Sequence, residues 1–211
     1  MSPDTLELVT ESLWPLVRGA ITGTIPLALV SFALGLVIAL VIALMRLSRR
    51  RWLSAPARAY VSVVRGTPLL VQLFVIFFGL PSVGVVIDPW PSAVVAFSVN
   101  VGGYAAEVIR AAILSVPKGQ WEAAHMVGMS HGVALRRIIL PQAARVSVPP
   151  LSNTFISLVK DTSLASVILV TELFREAQQI AAFSREFMVL YVEAAAIYWV
   201  ICLVLSAAQG R

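Results

Sequence analysis

Four consecutive polar residues, Lys160-Asp161-Thr162-Ser163, interrupt an otherwise apolar run that extends from about residue 148 to about residue 170. An ionisable group in the middle of a membrane costs about 2.5–3.5 kcal/mol on insertion scales. Neighbouring residues of a helix point about 100° apart, so Lys160 and Asp161 cannot both face lipid comfortably. Their side chains either line a water-accessible cavity or form bridges to other helices. The sequence favours neither role over the other.

A second apolar segment carries the polar residues Asn100 and Glu107, two helical turns apart, and Arg110 close behind them. At that spacing Asn100 and Glu107 could face the same cavity. For Arg110 the favoured interpretation is a structural ion pair. The acidic residues form no evident acid–base pair, so no catalytic residue is predicted. His125 and His131 stand six residues apart with no cysteine or aspartate beside them, so no metal site is predicted either.

The composition indicates a membrane protein. Hydrophobic residues make up 59% of the 211 positions and charged residues 13%, with a mean hydropathy of +0.88. A soluble domain carries about 25% charged residues, so much of this surface is expected to face lipid. Because a spanning helix needs about 20 mainly apolar residues, the sequence predicts an all-α integral membrane protein with about five such helices. The predicted spans cover residues 20–45, 68–87, 90–114, 148–170 and 187–207.

Short arginine clusters between these spans predict their orientation. With the N-terminus outside, the inner segments carry twelve basic residues, Arg211 among them, and the outer segments carry three. Because positive charge concentrates on the cytoplasmic side, the C-terminus is predicted to lie in the cytoplasm. Residues 46–66 are predicted to form an amphipathic elbow helix on the inner membrane surface. The clusters lack the pattern of a basic, aromatic-interleaved face, so no nucleic-acid partner is predicted despite the net charge of +5.

The longest hydrophilic segment, residues 115–147, falls on the cytoplasmic side and is predicted to be structured. Its pattern predicts a helix from Gln120 to about Val127 that ends at Gly128, then a helix capped by Ser130 that Pro141 ends. The first of these helices is unusually apolar for a solvated segment, with Trp121, Ala123, Ala124, Met126, Val127 and Met129. These residues either pack back on the chain's own helices or cover a partner surface, and residue types alone give each alternative even odds.

Several ordered motifs resemble a known family. Glu122-Ala123-Ala124, followed by Gly128 and by Ile138-Ile139-Leu140-Pro141, resembles the EAA loop of ABC-importer permeases. Other motifs resemble the polar-amino-acid branch of that family: residues 65–70 with Gln72, Tyr104 with Glu107 and Arg110, and residues 116–120, 141–143 and 160–164. The resemblance covers about residues 15–205. One departure is Gly102-Gly103, where the family often has Ser-Ala, which bears on span packing or on the substrate cavity.

The resemblance implies the transmembrane subunit of an ATP-driven importer, with a type I permease fold, in the bacterial inner membrane. It implies one permease domain over residues 1–211, with a coupling loop at about 115–147. The residues expected to couple this loop to a separate ATP-binding subunit are Glu122, Ala123, Ala124, Gly128, Arg136 and Pro141. A second permease copy or a sister permease is expected, and an extracytoplasmic binding protein at the outer loops, residues 81–90 and 172–186.

ATP and magnesium are expected in the partner, because this chain has no Gly-x-x-x-x-Gly-Lys-Ser/Thr loop and no cofactor of its own is implied. The expected cargo is a polar amino acid or a close analogue such as cystine or an opine. The expected pathway residues are Asn100, Glu107, Lys160, Asp161, Thr162 and Ser163. Of these, Lys160 and Thr162 would donate to the cargo's carboxylate, and acidic side chains would accept from its ammonium. The rival functions are a membrane scaffold or intramembrane enzyme, and an ion-channel subunit.

Overall fold

The computed structural model describes residues 3–209, with side chains from Leu6 onward, and that range is helical and contains no strand. Its α-helices are α1 (Pro3–Gly19), α2 (Ile25–Leu47), α3 (Arg51–Gly66), α4 (Leu69–Phe74), α5 (Pro89–Ser115), α6 (Lys118–Met126), α7 (His131–Ala134), α8 (Leu140–Asp161), α9 (Leu173–Ser184) and α10 (Phe187–Gln209). π-Helical turns occupy Ala20–Thr24, Val75–Gly79 and Leu135–Ile139, and 3-10 turns occupy Leu80–Val83 and Thr162–Ile168. Arg211, counted above as an inner charge, lies outside the described residues.

Three helices in the described range are long and apolar enough to cross a bilayer: Leu6–Leu47, Pro89–Ser115 and Phe187–Gln209. Two bent helix pairs, Arg51–Gly66 with Leu69–Val83 and His131–Ile168 with Leu173–Ser184, bring the number to five if each pair is one span. In α10, the most apolar stretch is only 11% buried within the chain, which leaves most of its surface for lipid. The all-α architecture with about five spans is confirmed, and its orientation stays a prediction of the charge count.

The first span is longer than predicted. Helical structure continues from Leu6 to Leu47 through the π turn Ala20–Thr24, whereas hydropathy places the start of the span near Ala20. The additional helix, α1, is amphipathic, and its exposed Glu7 and Glu11 lower the local hydropathy. A criterion based on continuous apolar sequence therefore misses it.

The predicted elbow helix is α3. Its buried residues recur every three or four positions, as on one helix face: Ser54, Ala57, Val61 and Val64. Between α3 and Leu69–Val83 the helix axis bends by 107°. Pro68 lies at this bend, and the residue before a proline avoids helical backbone; Thr67 is extended, with φ −121° and ψ 144°. The proline thus separates the amphipathic elbow from the apolar helix that follows.

The predicted helix end at Pro141 is wrong. Helical structure continues from His131 through Pro141 to Ile168, so the second helix of the hydrophilic segment and the fourth span are continuous. Proline lacks the N–H that bonds to the preceding turn. A π turn at Leu135–Ile139, where the Leu140 N–H donates to the Leu135 carbonyl, shifts the hydrogen-bond register just before the proline. The helix accommodates Pro141 at this irregularity.

The predicted outer loop at residues 172–186 is also wrong, because most of it is the helix α9. Its buried Leu173, Ala177 and Ala181 share one face at four-residue spacing. At 12 residues, α9 is too short to be recognised as a span by hydropathy. The other predicted loop, residues 81–90, contains a 3-10 turn, four irregular residues and the first two residues of α5.

The chain divides into two compact units, and α2, α5 and α8 run through both. The first unit comprises the described parts of Met1–Ala33, Leu69–Phe97 and Phe155–Arg211. Within it, Gly23 faces the residues just before α9 so closely that a Cβ would lie 2.4 Å from the Thr171 carbonyl oxygen. Gly19 likewise would place a Cβ 3.2 Å from the Glu172 carbonyl oxygen. The two glycines therefore serve packing inside the unit.

A fully buried carboxylate, Glu172, begins α9. It accepts the Arg175 N–H at 2.7 Å and the Phe174 N–H at 3.0 Å, two of the donors that a helix start leaves unbonded. The Tyr198 hydroxyl donates to the same carboxylate at 2.7 Å, and the Thr24 hydroxyl does so at 3.3 Å. These bonds fasten α9 to α10 and to the π turn of the first span.

The second unit comprises Leu34–Pro68 and Ser98–Thr154. Its close contacts centre on the double glycine of α5: a Cβ on Gly102 would lie 2.6 Å from Ile38 Cγ2, and one on Gly103 would lie 2.6 Å from Val64 Cγ1. The Tyr60 hydroxyl donates to the Val99 carbonyl at 2.6 Å beside them. The Gly102-Gly103 departure thus acts in the packing of α2 and α3 on α5.

Gly23→Ala is expected to destabilise the protein by about 1–3 kcal/mol, because the added methyl group meets backbone atoms that cannot rotate away. Thermal unfolding of the purified protein in detergent measures this. Gly132→Ala is the matched control, since a Cβ there meets nothing within 4 Å. Equal midpoints for the two variants would contradict the close approach at Gly23.

Candidate functional site

The hydrophilic segment is built around α6, Lys118–Met126, which begins two residues before the predicted start. Gly128 follows it with φ +77°, a left-handed conformation that glycine adopts without strain. There the Gly128 N–H donates to the His125 carbonyl at 2.9 Å and the Met129 N–H donates to the Ala124 carbonyl at 3.0 Å. The predicted helix and its glycine end are confirmed.

One face of α6 packs on the chain itself. The Trp121 ring stacks on the His131 ring with centroids 4.6 Å apart and planes within 13°, and Ala124 is buried. Trp121 also contacts an apolar cluster that includes Val116 and Ile139. A cavity of about 480 Å³ lies beside this cluster and is lined by residues of α2, α5, α6 and α7, including Leu44 and Trp121. The stack and the cluster hold α6 against the rest of the second unit.

The opposite face of α6 is open. Glu122 and Ala123 are exposed, as are Met126 and Val127, whose side chains are 88% and 72% accessible. Glu122 and Met126 are four residues apart, and so are Ala123 and Val127. Residues at this spacing are neighbours on one side of a helix, so the four form a single surface. The first alternative holds for one face of this helix, where Trp121 and Ala124 pack inward, whereas Met126 and Val127 on the other face are exposed and their contact with a partner stays a prediction.

The remaining predicted docking residues lie close in sequence to this surface. Arg136 is exposed in the π turn Leu135–Ile139, which packs against α6. Pro141 is exposed one turn later. The Gln142 amide donates to the Gln120 side-chain oxygen at 3.2 Å and so links α8 to the start of α6. Among the predicted docking residues, only Ala124 faces inward.

The polar run 160–163 lies at the end of α8 in the first unit, where the α-helix tightens into a 3-10 turn. The Thr162 hydroxyl donates to the Val159 carbonyl at 2.7 Å, and the Ser163 hydroxyl donates to the Lys160 carbonyl at 2.8 Å. Lys160 is exposed and Asp161 half-buried. A cavity of about 200 Å³ adjoins the run and is lined by Ser163, Phe174, Tyr191, Ala194, Ala195 and Tyr198. The run therefore borders a small space with aromatic walls.

Glu107, in the second unit, faces three guanidiniums. It pairs with Arg46 of α2, with Arg110 one turn along α5 at 3.2 Å and with Arg65 of α3 at 3.8 Å. The structural ion pair favoured for Arg110 is confirmed. Asn100, nearly two turns earlier on α5, is half-buried. The sequence does not reveal the partners Arg46 and Arg65, because they are distant in the chain.

Sequence reasoning also missed Glu172 and Tyr198, which join through a hydrogen bond across the first unit. Glu172 precedes a helix with Leu173, Ala177 and Ala181 on one face, and that periodicity was the available signal. Nothing in the sequence around Tyr198 distinguishes it from the other aromatic residues of the last span.

Comparison with protein families agrees with these features. The model of the family described as "Binding-protein-dependent transport system inner membrane component" matches residues 31–211. The chain is 60% identical over 204 residues to the L-cystine transport system permease protein TcyB of Bacillus subtilis, covering 96% of this chain and 87% of that protein. It is 42% identical over 202 residues to the octopine transport system permease protein OccM of Rhizobium radiobacter, covering 90% and 82% respectively.

Solved structures show the same fold. A chain from a structure titled "Crystal structure of an amino acid ABC transporter with histidines" superposes with a TM-score of 0.91 at 37% identity, covering 100% of this chain and 97% of that chain. A chain of the MetNI methionine ABC transporter in an inward-facing conformation superposes with a TM-score of 0.73 at 21% identity and supports the fold alone.

Gly128→Ala is expected to weaken the end of α6 by about 1 kcal/mol, because alanine is strained at positive φ. Hydrogen exchange in residues 118–129 should become faster by about fivefold. Gly119→Ala, in the same helix at an unobstructed position, is the control and should leave that exchange unchanged or slower. Unchanged protection in Gly128→Ala would contradict the assigned helix end.

Proposed function

Because this chain belongs to the family of inner membrane components of binding-protein-dependent transport systems, we propose that it drives import by docking α6 on a separate ATP-hydrolysing subunit. The chain is the permease subunit of an amino-acid ABC importer of the bacterial inner membrane. It is a membrane permease and not the catalytic subunit of that importer. The relatives described above are transport-system permeases, which favours neither a scaffold nor an ion channel.

The exposed face of α6 carries the docking proposal. Met126 and Val127 are largely accessible, although the charge count predicts that they lie in the cytoplasm rather than in lipid. Exposed apolar surface outside the membrane is typical of a protein interface. Glu122 adds a negative group to the same face, and Arg136 lies exposed in the π turn packed against α6. Trp121 stacks inward, so a force on this face passes to α5 and α8 through the cluster around Val116 and Ile139.

For the rest of the assembly the proposal rests on the family to which the chain belongs. Two permease subunits, either two copies or this chain with a sister permease, would enclose one pathway. Each would place its α6 on one ATP-binding subunit, which would hold ATP and magnesium. An extracytoplasmic binding protein would deliver the solute at the opposite side of the membrane. ATP binding would close the ATP-binding pair and shift the α6 helices, and hydrolysis would reset them.

Glu122→Arg is expected to weaken retention of the ATP-hydrolysing subunit at least about tenfold, equivalent to about 1.4 kcal/mol, because it reverses a charge in the docking face. The measurements are co-purification from detergent and substrate-stimulated ATP hydrolysis of the reconstituted importer.

Glu186→Arg is the control for this reversal, since Glu186 is exposed at the start of α10, far along the chain from α6. If the Glu122→Arg variant retains the ATP-hydrolysing subunit and shows substrate-stimulated ATP hydrolysis as the wild type does, α6 is not the docking site. Equal losses in the two variants would attribute the effect to net charge.

For the solute we propose a polar amino acid or a close analogue such as cystine or an opine. The polar run at 160–163 supports a place on the pathway, because it combines a cation, an anion and hydroxyls, and its Ser163 lines a small cavity. Lys160 suits the solute's carboxylate and Asp161 its ammonium. Thr162 already bonds to its own helix, so its role would be to shape the turn.

Glu107 and Asn100 complete the proposed pathway residues. The Glu107 carboxylate already faces Arg46, Arg65 and Arg110, so a solute ammonium would have to displace a guanidinium to bind it. We therefore propose Asp161 as the main acceptor and Glu107 as a charge that holds the arginines in place. Asn100, a half-buried neutral group nearly two turns before Glu107 on α5, is proposed as a further pathway residue.

Asp161→Asn is expected to lower uptake at least about tenfold while the subunits still assemble, because the amide keeps the shape and loses the charge that pairs with an ammonium. Uptake into proteoliposomes and size-exclusion chromatography of the complex report the two properties. Asp88→Asn removes an exposed carboxylate and serves as control. Loss of assembly in Asp161→Asn would assign the residue a packing role instead.

A further inference from the structure

Three arginines pair with the single carboxylate of Glu107 in the second unit, and we call this group the arginine cluster: Arg46, Arg65 and Arg110. Three different helices, α2, α3 and α5, supply these side chains.

The cluster has more positive charge than its one carboxylate can neutralise. Two unit charges at 4 Å interact by about 4 kcal/mol at the effective dielectric constant of a protein surface, so each unbalanced guanidinium raises the free energy of its neighbours. Arg46 is largely buried, and its Nε atom has no hydrogen-bond acceptor among the described residues. An additional anion at this position would remove the repulsion and satisfy that donor.

The position of the cluster along the helices identifies the region from which an anion would come. Arg46 is the penultimate residue of α2, where the apolar part of the first span ends. The elbow helix α3 carries Arg58 and Arg65 on its exposed side. Arg65 is 45% accessible and Arg110 is 30% accessible, so the cluster is open to an incoming group. A boundary between apolar helix and charged residues is the depth at which lipid headgroups lie.

The elbow helix α3 also presents exposed apolar side chains next to its arginines. Trp52 and Val63 are both largely accessible. An amphipathic helix with basic residues and exposed aromatic or aliphatic residues lies in the membrane interface and is attracted to anionic lipids. Such a helix places acyl chains beside the same residues that attract the phosphate.

We propose that the arginine cluster is a binding site for the phosphate of an anionic phospholipid headgroup. Guanidinium groups bind phosphate through paired N–H donors, so two arginines held by Glu107 form a prearranged receptor. A free phosphate ion shares this chemistry, but the exposed apolar residues of α3 favour a lipid. The bound lipid would neutralise the cluster and hold α2, α3 and α5 together at this end of the membrane.

The test uses the purified importer complex in detergent with added phosphatidylglycerol or phosphatidylcholine. Native mass spectrometry counts the lipids retained, and the thermal midpoint reports stabilisation. The wild-type complex is expected to retain phosphatidylglycerol in preference to phosphatidylcholine. Arg65→Gln is expected to lower the apparent affinity for phosphatidylglycerol about three- to tenfold, because a charge-assisted pair of hydrogen bonds is lost.

Arg51→Gln is the matched control, because it removes the same charge from an exposed position on the same helix α3. It is expected to change the affinity less than twofold, the effect of about one screened surface charge. Equal losses in Arg51→Gln and Arg65→Gln would overturn the cluster as the site in favour of general attraction. Full retention of phosphatidylglycerol by Arg65→Gln would overturn it as well.

Two further arms complete the test. Inorganic phosphate is added in place of lipid, and it is expected to give no stabilisation; stabilisation equal to that by phosphatidylglycerol would overturn the lipid assignment.

If Arg65→Gln fails to assemble, the comparison uses Arg65→Lys and Arg51→Lys. Lysine keeps the charge and loses the paired donors. Only Arg65→Lys is then expected to lose affinity, and equal affinity in both variants would contradict the proposal.

Discussion

Hydrocarbon offers no hydrogen bonds to a polypeptide backbone, so a chain in the bilayer must bond its own N–H and C=O groups. In the described residues the spans meet this requirement with helices, and their irregular places are π and 3-10 turns that still carry backbone bonds. Where the helix breaks before α9, a buried carboxylate accepts two of the freed N–H groups. The same carboxylate binds Tyr198 and Thr24, so satisfying the break also fixes three elements to one another. Glycines at positions 19 and 23 make room for this junction.

The requirement for lipid contact also distinguishes two kinds of exposed apolar surface. On α10 such residues lie on a helix long enough to span the bilayer, where lipid can cover them. On α6 they lie on a helix of nine residues that ends before Gly128, outside any predicted span, and their exposure there supports the proposed docking face. The stack of Trp121 on His131 connects that surface to the packed ends of α5 and α8. If a partner moves α6, as proposed, this packing is the route by which the movement would reach α5 and α8.

Local signals in the sequence predict much of this architecture. Hydropathy places the spans at 90–114 and 187–207 close to the observed α5 and α10, and glycine chemistry correctly predicts the end of α6 at Gly128. Hydropathy does not detect the amphipathic α1 and α9, because their apolar residues occupy one face only. Pro141 does not end its helix, because a π turn precedes it. The partners of Glu107 and Glu172 come from distant parts of the chain, so no local pattern reveals them. For the same reason the sequence alone does not tell which residues of α6 pack inward and which stay exposed.

In the assembled importer, the open face of α6 is proposed to rest on the ATP-hydrolysing subunit while the chain imports its solute. Photo-crosslinking in that complex tests this contact. A photoreactive amino acid replaces Met126, which is 88% accessible, or in a separate variant Phe183, which is 91% accessible at the end of α9. An adduct with the ATP-hydrolysing subunit is expected from position 126 and none from position 183, which the charge count predicts to lie on the outer side. No adduct from position 126 in an active complex, or an equal yield from both positions, would contradict it.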